Sequence, residues 1–170
     1  ASIGERFCLS TPSLASLDLD GMTSLTAIKA GFCCQSSLAF VDLSGITNLE
    51  TIGDGFCVTS SLTSLDLSGL SNLTSIGYNF ANTCTSLTSL NCSVLPQLKS
   101  IGSGFCQNAA SLSNVRLSGM GSLTSIGNGF CQGASMTCLD LSALINVSSI
   151  GNGFCAECNA LSIVDLSGFS

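Results

Sequence analysis

Eleven cysteines and no histidine are the first chemical facts of this 170-residue chain. Six of the thiols share one recurring position, Cys8, Cys33, Cys57, Cys106, Cys131 and Cys155, and Ala81 takes that place in the remaining copy. Copies stacked at strand spacing would hold such thiols within the roughly 4.4–6.8 Å Cα range of a disulfide. A regular inward ladder, however, sets neighbouring Cβ vectors side by side, and Ala81 shows that the position asks only for a small apolar side chain. Free cysteine meets that demand and is among the most buried residue types. Cys92 stands in a column that is otherwise Leu and reads the same way. An odd total cannot pair completely within one chain. The column is therefore expected to be reduced and buried.

Cys155-Ala-Glu-Cys158 is a C-x-x-C, with Cys131 expected one copy away. A structural zinc site needs four ligands, and the chain offers neither a second C-x-x-C nor a histidine. A redox role would want the pair in a βαβ setting, which the pattern lacks. Without histidine, Ser-His and Cys-His nucleophiles and histidine acid–base chemistry are excluded. No constellation supports an enzyme, and no cofactor is expected.

The second chemical feature is a row with one residue per copy: Asp18, Asp42, Asp66, Asn91, Arg116, Asp140 and Asp165. Two residues on stands Asp20, then Ser44, Ser68, Ser93, Ser118, Ser142 and Ser167. Carboxylates on neighbouring strands repel, at a cost of a few tenths of a kcal/mol per pair. The row could meet a basic partner or hold Ca²⁺ weakly, but calcium wants about six to eight oxygens converging on a point. A flat row does not converge, so a solvated strand face is the plainer reading. Three N-x-S/T triplets begin at Asn72, Asn91 and Asn146, about the number that chance supplies in a chain so rich in Ser and Thr. They carry no argument for secretion. A Thr array matched to ice fails because Glu50 and Lys99 interrupt the column Thr26, Glu50, Thr74, Lys99, Thr124, Ser148.

These positions are set by a repeat that runs the length of the chain. Ile3, Ile28, Ile52, Ile76, Ile101, Ile126 and Ile150 recur every 24 or 25 residues. Phe7, Phe32, Phe56, Phe80, Phe105, Phe130 and Phe154 follow in step, and Leu, Met or Val columns follow those. The one-residue variation lies between each Phe and the next Leu or Met, six or seven residues on, where a loop tolerates it. Composition fits no common class: 45% hydrophobic, 8% charged, with 31 Ser and 13 Thr in place of charge. Disorder is excluded by the high hydrophobicity. Nucleic-acid binding is not expected with 4 Lys+Arg against 10 Asp+Glu, net charge −6. Ser, Thr or Gly interrupts every apolar run, so no membrane span is expected.

Leu62-Thr-Ser-Leu-Asp-Leu-Ser68 ends in the alternation of a half-buried strand, and Ser-Gly after it signals a turn. Leu73-Thr-Ser-Ile76 is a second short extended piece, which leads into a bend at Gly77. A coil of this size cannot bury its own apolar edge, but stacked coils share one core. The fold predicted is a β-rich solenoid of about seven 24–25-residue coils with few or no helices, occupying residues 1–170 as a single array. The pattern L-x-x-L-x-L, then L-x-x-I-G-x-x-F with a cysteine near the Phe, resembles the leucine-rich repeats of the treponemal, BspA-like kind. The Leu-Ser-Gly and Gly-Phe-Cys wording also resembles leucine-rich repeat proteins of kinetoplastid parasites. Departures are visible: Gly rather than Ala precedes Phe in five of seven repeats, and Cys usually follows Phe at once. The resemblance implies a horseshoe with a parallel sheet on its concave face, and an interaction role without catalytic residues.

The expected function is a non-catalytic scaffold that binds another protein through the concave strand face. Variation gathers there, at Phe40, Asn91, Asn114, Arg116, Cys138 and Ile163, while the core columns scarcely change. Specificity can reside where a surface differs and its scaffold repeats. With the acidic row, this makes the partner-binding set. The resemblance leans toward the cell surface, whereas the odd thiol count leans toward the cell interior. No cap is recognised at either end, which predicts a segment of a longer array or a unit that stacks on a second copy through Phe7, Leu14, Leu161 and Leu166. Sizing chromatography of the 170-residue chain should show association that grows with concentration; a stable monomer at high concentration would refute this.

Overall fold

The structure is a computed structural model and describes residues 1–169. It is the expected β-solenoid: thirteen short strands, all paired in parallel, and no helix among the described residues. No helix, therefore, is long and apolar enough to cross a membrane. Seven two-residue strands end on the Ile column: β1 (Ser2–Ile3), β2 (Ala27–Ile28), β4 (Thr51–Ile52), β6 (Ser75–Ile76), β8 (Ser100–Ile101), β10 (Ser125–Ile126) and β12 (Ser149–Ile150). They form one unbroken sheet in which each Ile lies beside the Ile of the next coil.

The second set lies on the Leu side: β3 (Phe40–Asp42), β5 (Ser64–Asp66), β7 (Ser89–Asn91), β9 (Asn114–Arg116), β11 (Cys138–Asp140) and β13 (Ile163–Asp165). A single sheet was expected here. Instead the strands pair as β3–β5, β7–β9 and β11–β13, with no ladder between the pairs. The cause lies in the loop from Phe to the next Leu or Met. It spans six residues in the second and third coils and seven in the fourth and fifth, and both equal-length junctions are paired. Where the length changes, from β5 to β7 and from β9 to β11, pairing lapses. The last junction also changes length yet stays paired, and there the Asn159 N–H folds back onto the Glu157 carbonyl at 2.9 Å.

Between the two strand sets runs the Phe column. Consecutive rings stack with centroids 5.0–5.7 Å apart and planes within 12° of parallel, six steps in all. That repeat is close to the roughly 4.8 Å between neighbouring strands, so rings and backbone rise together. Phe32, Phe56, Phe80, Phe105 and Phe130 are buried. The outermost coils are more open: Phe7 is 37% and Leu166 58% exposed, and Leu14 and Leu161 are half-buried.

Phe105 sits between Phe80 and Phe130, 5.1 Å from each. Its replacement by Ala should cost about 3–5 kcal/mol, the usual price of an aromatic removed from a packed core. Because coils contact only their neighbours, faster hydrogen exchange should appear in the adjoining coils before the distant ones. Chemical denaturation with exchange mass spectrometry checks both, and an unaltered midpoint would show that the ring is dispensable.

Candidate functional site

The Leu-side face presents two outward columns. Phe40 and Ser64, Ser89 and Asn114, and Cys138 and Ile163 lie side by side in one; Asp42 and Asp66, Asn91 and Arg116, and Asp140 and Asp165 do so in the other. Phe40 is 47% and Ile163 64% exposed, and Asn114, Arg116, Cys138 and Asp140 are exposed as well. Asp18 is exposed in the first coil, which has no strand at this position.

The acidic row has a local task that its outward position alone did not reveal. Asp18, Asp42, Asp66, Asp140 and Asp165 each accept a hydrogen bond from the backbone N–H two residues on, at 2.8–2.9 Å, and Asn91 does the same from Ser93 at 3.1 Å. This is an Asx-turn, which closes the bend after each strand. The hydroxyl and the N–H of Ser44 hold the Asp42 carboxyl below its ordinary value of 3.8, and those of Ser142 do so for Asp140. The signal was present in the sequence as Asp or Asn, two places before Ser, in coil after coil. Coil five departs from it: Arg116 has no acceptor for the Ser118 N–H.

Arg116 borders a cleft of about 330 Å³ lined by Ser113, Asn114, Arg116, Thr137, Cys138 and Asp140, among others. The cleft opens where β9 and β11 are unpaired. Of the outward residues singled out from sequence, it gathers Asn114, Arg116, Cys138 and Asp140, and a shallower hollow adds Asn91 beside Asn114 and Arg116. Phe40, Asp42 and Asp66 lie two or more coils away on the same face, and Ile163 and Asp165 lie on the strand beyond β11.

The thiol column has a conformational reason. Each of its seven residues, Ala81 included, has φ between 48° and 53°, the left-handed region. The position before Phe is left-handed too, which explains its glycines. Asn79–Asn82 shows the resulting turn: Asn82 N–H bonds Asn79 C=O at 3.4 Å across Phe80 and Ala81. The turn resembles type II, whose third residue is usually Gly or Asn. Here that residue faces the core, and Cys33, Cys57, Ala81, Cys106 and Cys131 are fully buried. Glycine would relax the backbone but leave a void; a thiol fills it.

All eleven cysteines are free. Burial, reinforced by neighbouring thiols, raises Cys33 and Cys155 to about 12, and burial alone does so for Cys92. Cys57, Cys106 and Cys131 are pushed well above the ordinary 9.0, chiefly by burial. In the C-x-x-C, the Cys158 thiol donates to the Cys131 carbonyl at 3.1 Å, as Cys84 donates to Cys57 at 3.0 Å. Both occupy a small-residue column rather than a ligand set.

A family model described as the BspA type leucine rich repeat region matches this chain in six copies, over residues 1–137 and 84–168. The chain belongs to that family. No curated protein sequence matches this BspA-type repeat array. Among solved structures it is similar to the functional domain of InlJ from Listeria monocytogenes, described as including a cysteine ladder. Identity is 23% and the TM-score 0.60, over 81% of this chain and 27% of that one, so the array spans about a quarter of the InlJ structure. The likeness is one of fold; the ladder of this BspA-type array rests on its own geometry.

Thiolate, not thiol, is the reactive form. The folded array should therefore take up little alkylating reagent at neutral pH, with Cys138 modified first because it is the one exposed cysteine. Denatured without reductant, it should take up close to eleven labels, one for each free cysteine. Peptide mapping that recovers five cross-linked pairs would refute the reduced ladder.

Proposed function

We propose that this chain is a non-catalytic scaffold that receives another protein on its Leu-side strand face, the concave face of the family's horseshoe. The observation that carries the reading is the contrast between two surfaces built from the same repeat. The Phe and Ile columns are invariant, whereas the outward column changes from Phe40 to Ser64, Ser89, Asn114, Cys138 and Ile163. Exposed Phe40 and Ile163 supply apolar contact area, and Asn114 and Arg116 supply directional polar groups. Interfaces combine these types, with aromatic residues and Arg enriched at their centres. A leucine-rich repeat family and a repeat neighbour of similar fold support a scaffold role.

A second reading, stacking of copies end to end, draws on the apolar exposure of the outermost described coils, Val164 at 43% and Leu166 at 58%. The two readings use different surfaces. A photo-cross-linking residue placed in turn at Phe40, Asn114 and Ile163 should capture one protein from the native source, whereas the same group at Ile145, exposed on the turn side, should not. Cross-links formed only from Ile145, or only to further copies of this chain, would overturn the strand-face reading.

A further inference from the structure

We propose that the cleft between β9 and β11 is an anchor pocket for one carboxylate side chain of the partner, set in a partner surface that is otherwise basic. The proposal rests on the strand-face reading above and adds the chemistry of its centre. Three observations converge on this cleft.

The first is geometric. The loop from Phe130 to Met136 is one residue shorter than that from Phe105 to Leu112. At the preceding junction Ser113 N–H bonds Thr88 C=O at 3.0 Å, in register. At this one Ser135 N–H bonds Leu112 C=O at 2.9 Å instead, and β9 and β11 share no paired register. The gap that results, about 330 Å³, lies at the small end of the roughly 300–1,000 Å³ range of ligand pockets. It suits a side chain rather than a large ligand.

The second is a broken local rule. In six coils this outward position is Asp or Asn, and its side chain closes the following turn. Coil five gives up that bond for Arg116, at the edge of the cleft. Departures from a rule that the rest of the molecule obeys belong to functional sites more often than to the scaffold.

The third is charge order. Along the solenoid the row reads Asp18, Asp42, Asp66, Asn91, Arg116, Asp140, Asp165: three negative, one neutral, one positive, two negative. A uniformly acidic partner is repelled on both flanks, and a uniformly basic one is repelled at the centre. A carboxylate flanked by Lys or Arg on both sides matches every position. The guanidinium grips a carboxylate in two-pronged geometry, which fixes register as well as sign. Asn114, on the same strand, offers amide donors beside it.

The test uses a displayed library of random peptides selected on the folded 170-residue chain, with Ser89→Arg on the same face as a blocking variant. Enriched peptides should carry Asp or Glu between Lys or Arg residues. They should bind Arg116→Asp at least about tenfold more weakly, a loss of 1.4 kcal/mol. The same substitution restores the turn-closing carboxylate, so its thermal midpoint should rise while binding falls. Peptides blocked by Ser89→Arg but lacking an acidic residue, or indifferent to Arg116→Asp, overturn the anchor and leave the strand-face reading standing. A library that yields no peptide blocked by Ser89→Arg overturns both. A lowered midpoint in Arg116→Asp would show that Arg116 serves the fold, and would overturn the anchor.

Discussion

Everything in this molecule is subject to one spacing: neighbouring coils are about as far apart as two stacked phenyl rings and two paired strands. The Phe rings meet it at 5.0–5.1 Å for five of their six steps. Stacked aromatic pairs contribute about 0.5–1.5 kcal/mol each beyond the area they bury, and here every inner ring has two partners. Closeness also dictates the small residues. A Cβ added at Gly53 would lie 2.8 Å from the Ala30 nitrogen, so that residue cannot carry a side chain without moving the coil behind it. The thiol column obeys the same limit from inside, where every occupant is Cys or Ala and the inner five are fully buried.

The spacing also accounts for the odd composition. Any side chain repeated in every coil faces its own copy across a strand gap, and like charges directly opposite are destabilising. Hydroxyls and amides do not have this difficulty, because each can donate to one neighbour and accept from the other. Thr74 donates to the Glu50 carbonyl at 3.0 Å, Thr124 to Lys99 at 2.9 Å, and Asn72 to Thr47 at 2.9 Å, always toward the preceding coil. Asn82, Gln107, Gln132 and Glu157 join in a side-chain chain that runs the other way, each amide donating to the following coil. The Asp row is tolerated because each carboxylate is engaged by its own turn. Ser36 marks the limit of the scheme: its hydroxyl is buried without a partner in a column where Ser60 bonds Cys84, and Thr11, Cys84 and Cys158 each bond a backbone carbonyl.

The repeat made most of this legible. Ile and Phe columns predicted a stack, and Ala81 among the cysteines predicted a small buried position rather than a bridged one. What remained hidden depended on backbone angles and on differences between neighbours. Nothing in Gly-Phe-Cys states that both flanking residues are left-handed, since Cys at such an angle contradicts its own preference and is held there by burial. The Asx-turns were readable from Asp two places before Ser, yet the outward row drew attention to charge and away from the turn. The divided sheet was also written in the loop lengths, but a length difference acquires meaning only when two coils must share a ladder. Arg116 was conspicuous as a break in a column; its cleft was not, because the cleft belongs to a junction and to neither coil alone.

That last point bears on how such a scaffold acquires specificity. A rung in the core touches the rungs before and behind it, so a core substitution disturbs two interfaces and is opposed by both. An outward substitution such as Phe40 or Ile163 disturbs neither. A one-residue change in the Phe-to-Leu loop falls between these extremes. From β5 to β7 and from β9 to β11 it leaves the Ile sheet continuous while unpairing the Leu strands locally, although β11 and β13 stay paired across a change of the same size. The invariant side of each coil therefore holds the stack together at the very junctions where the variable side opens. A repeat of this design can produce a cleft without weakening its spine, and the residues that line it are free to depart from the column rule, as Arg116 does.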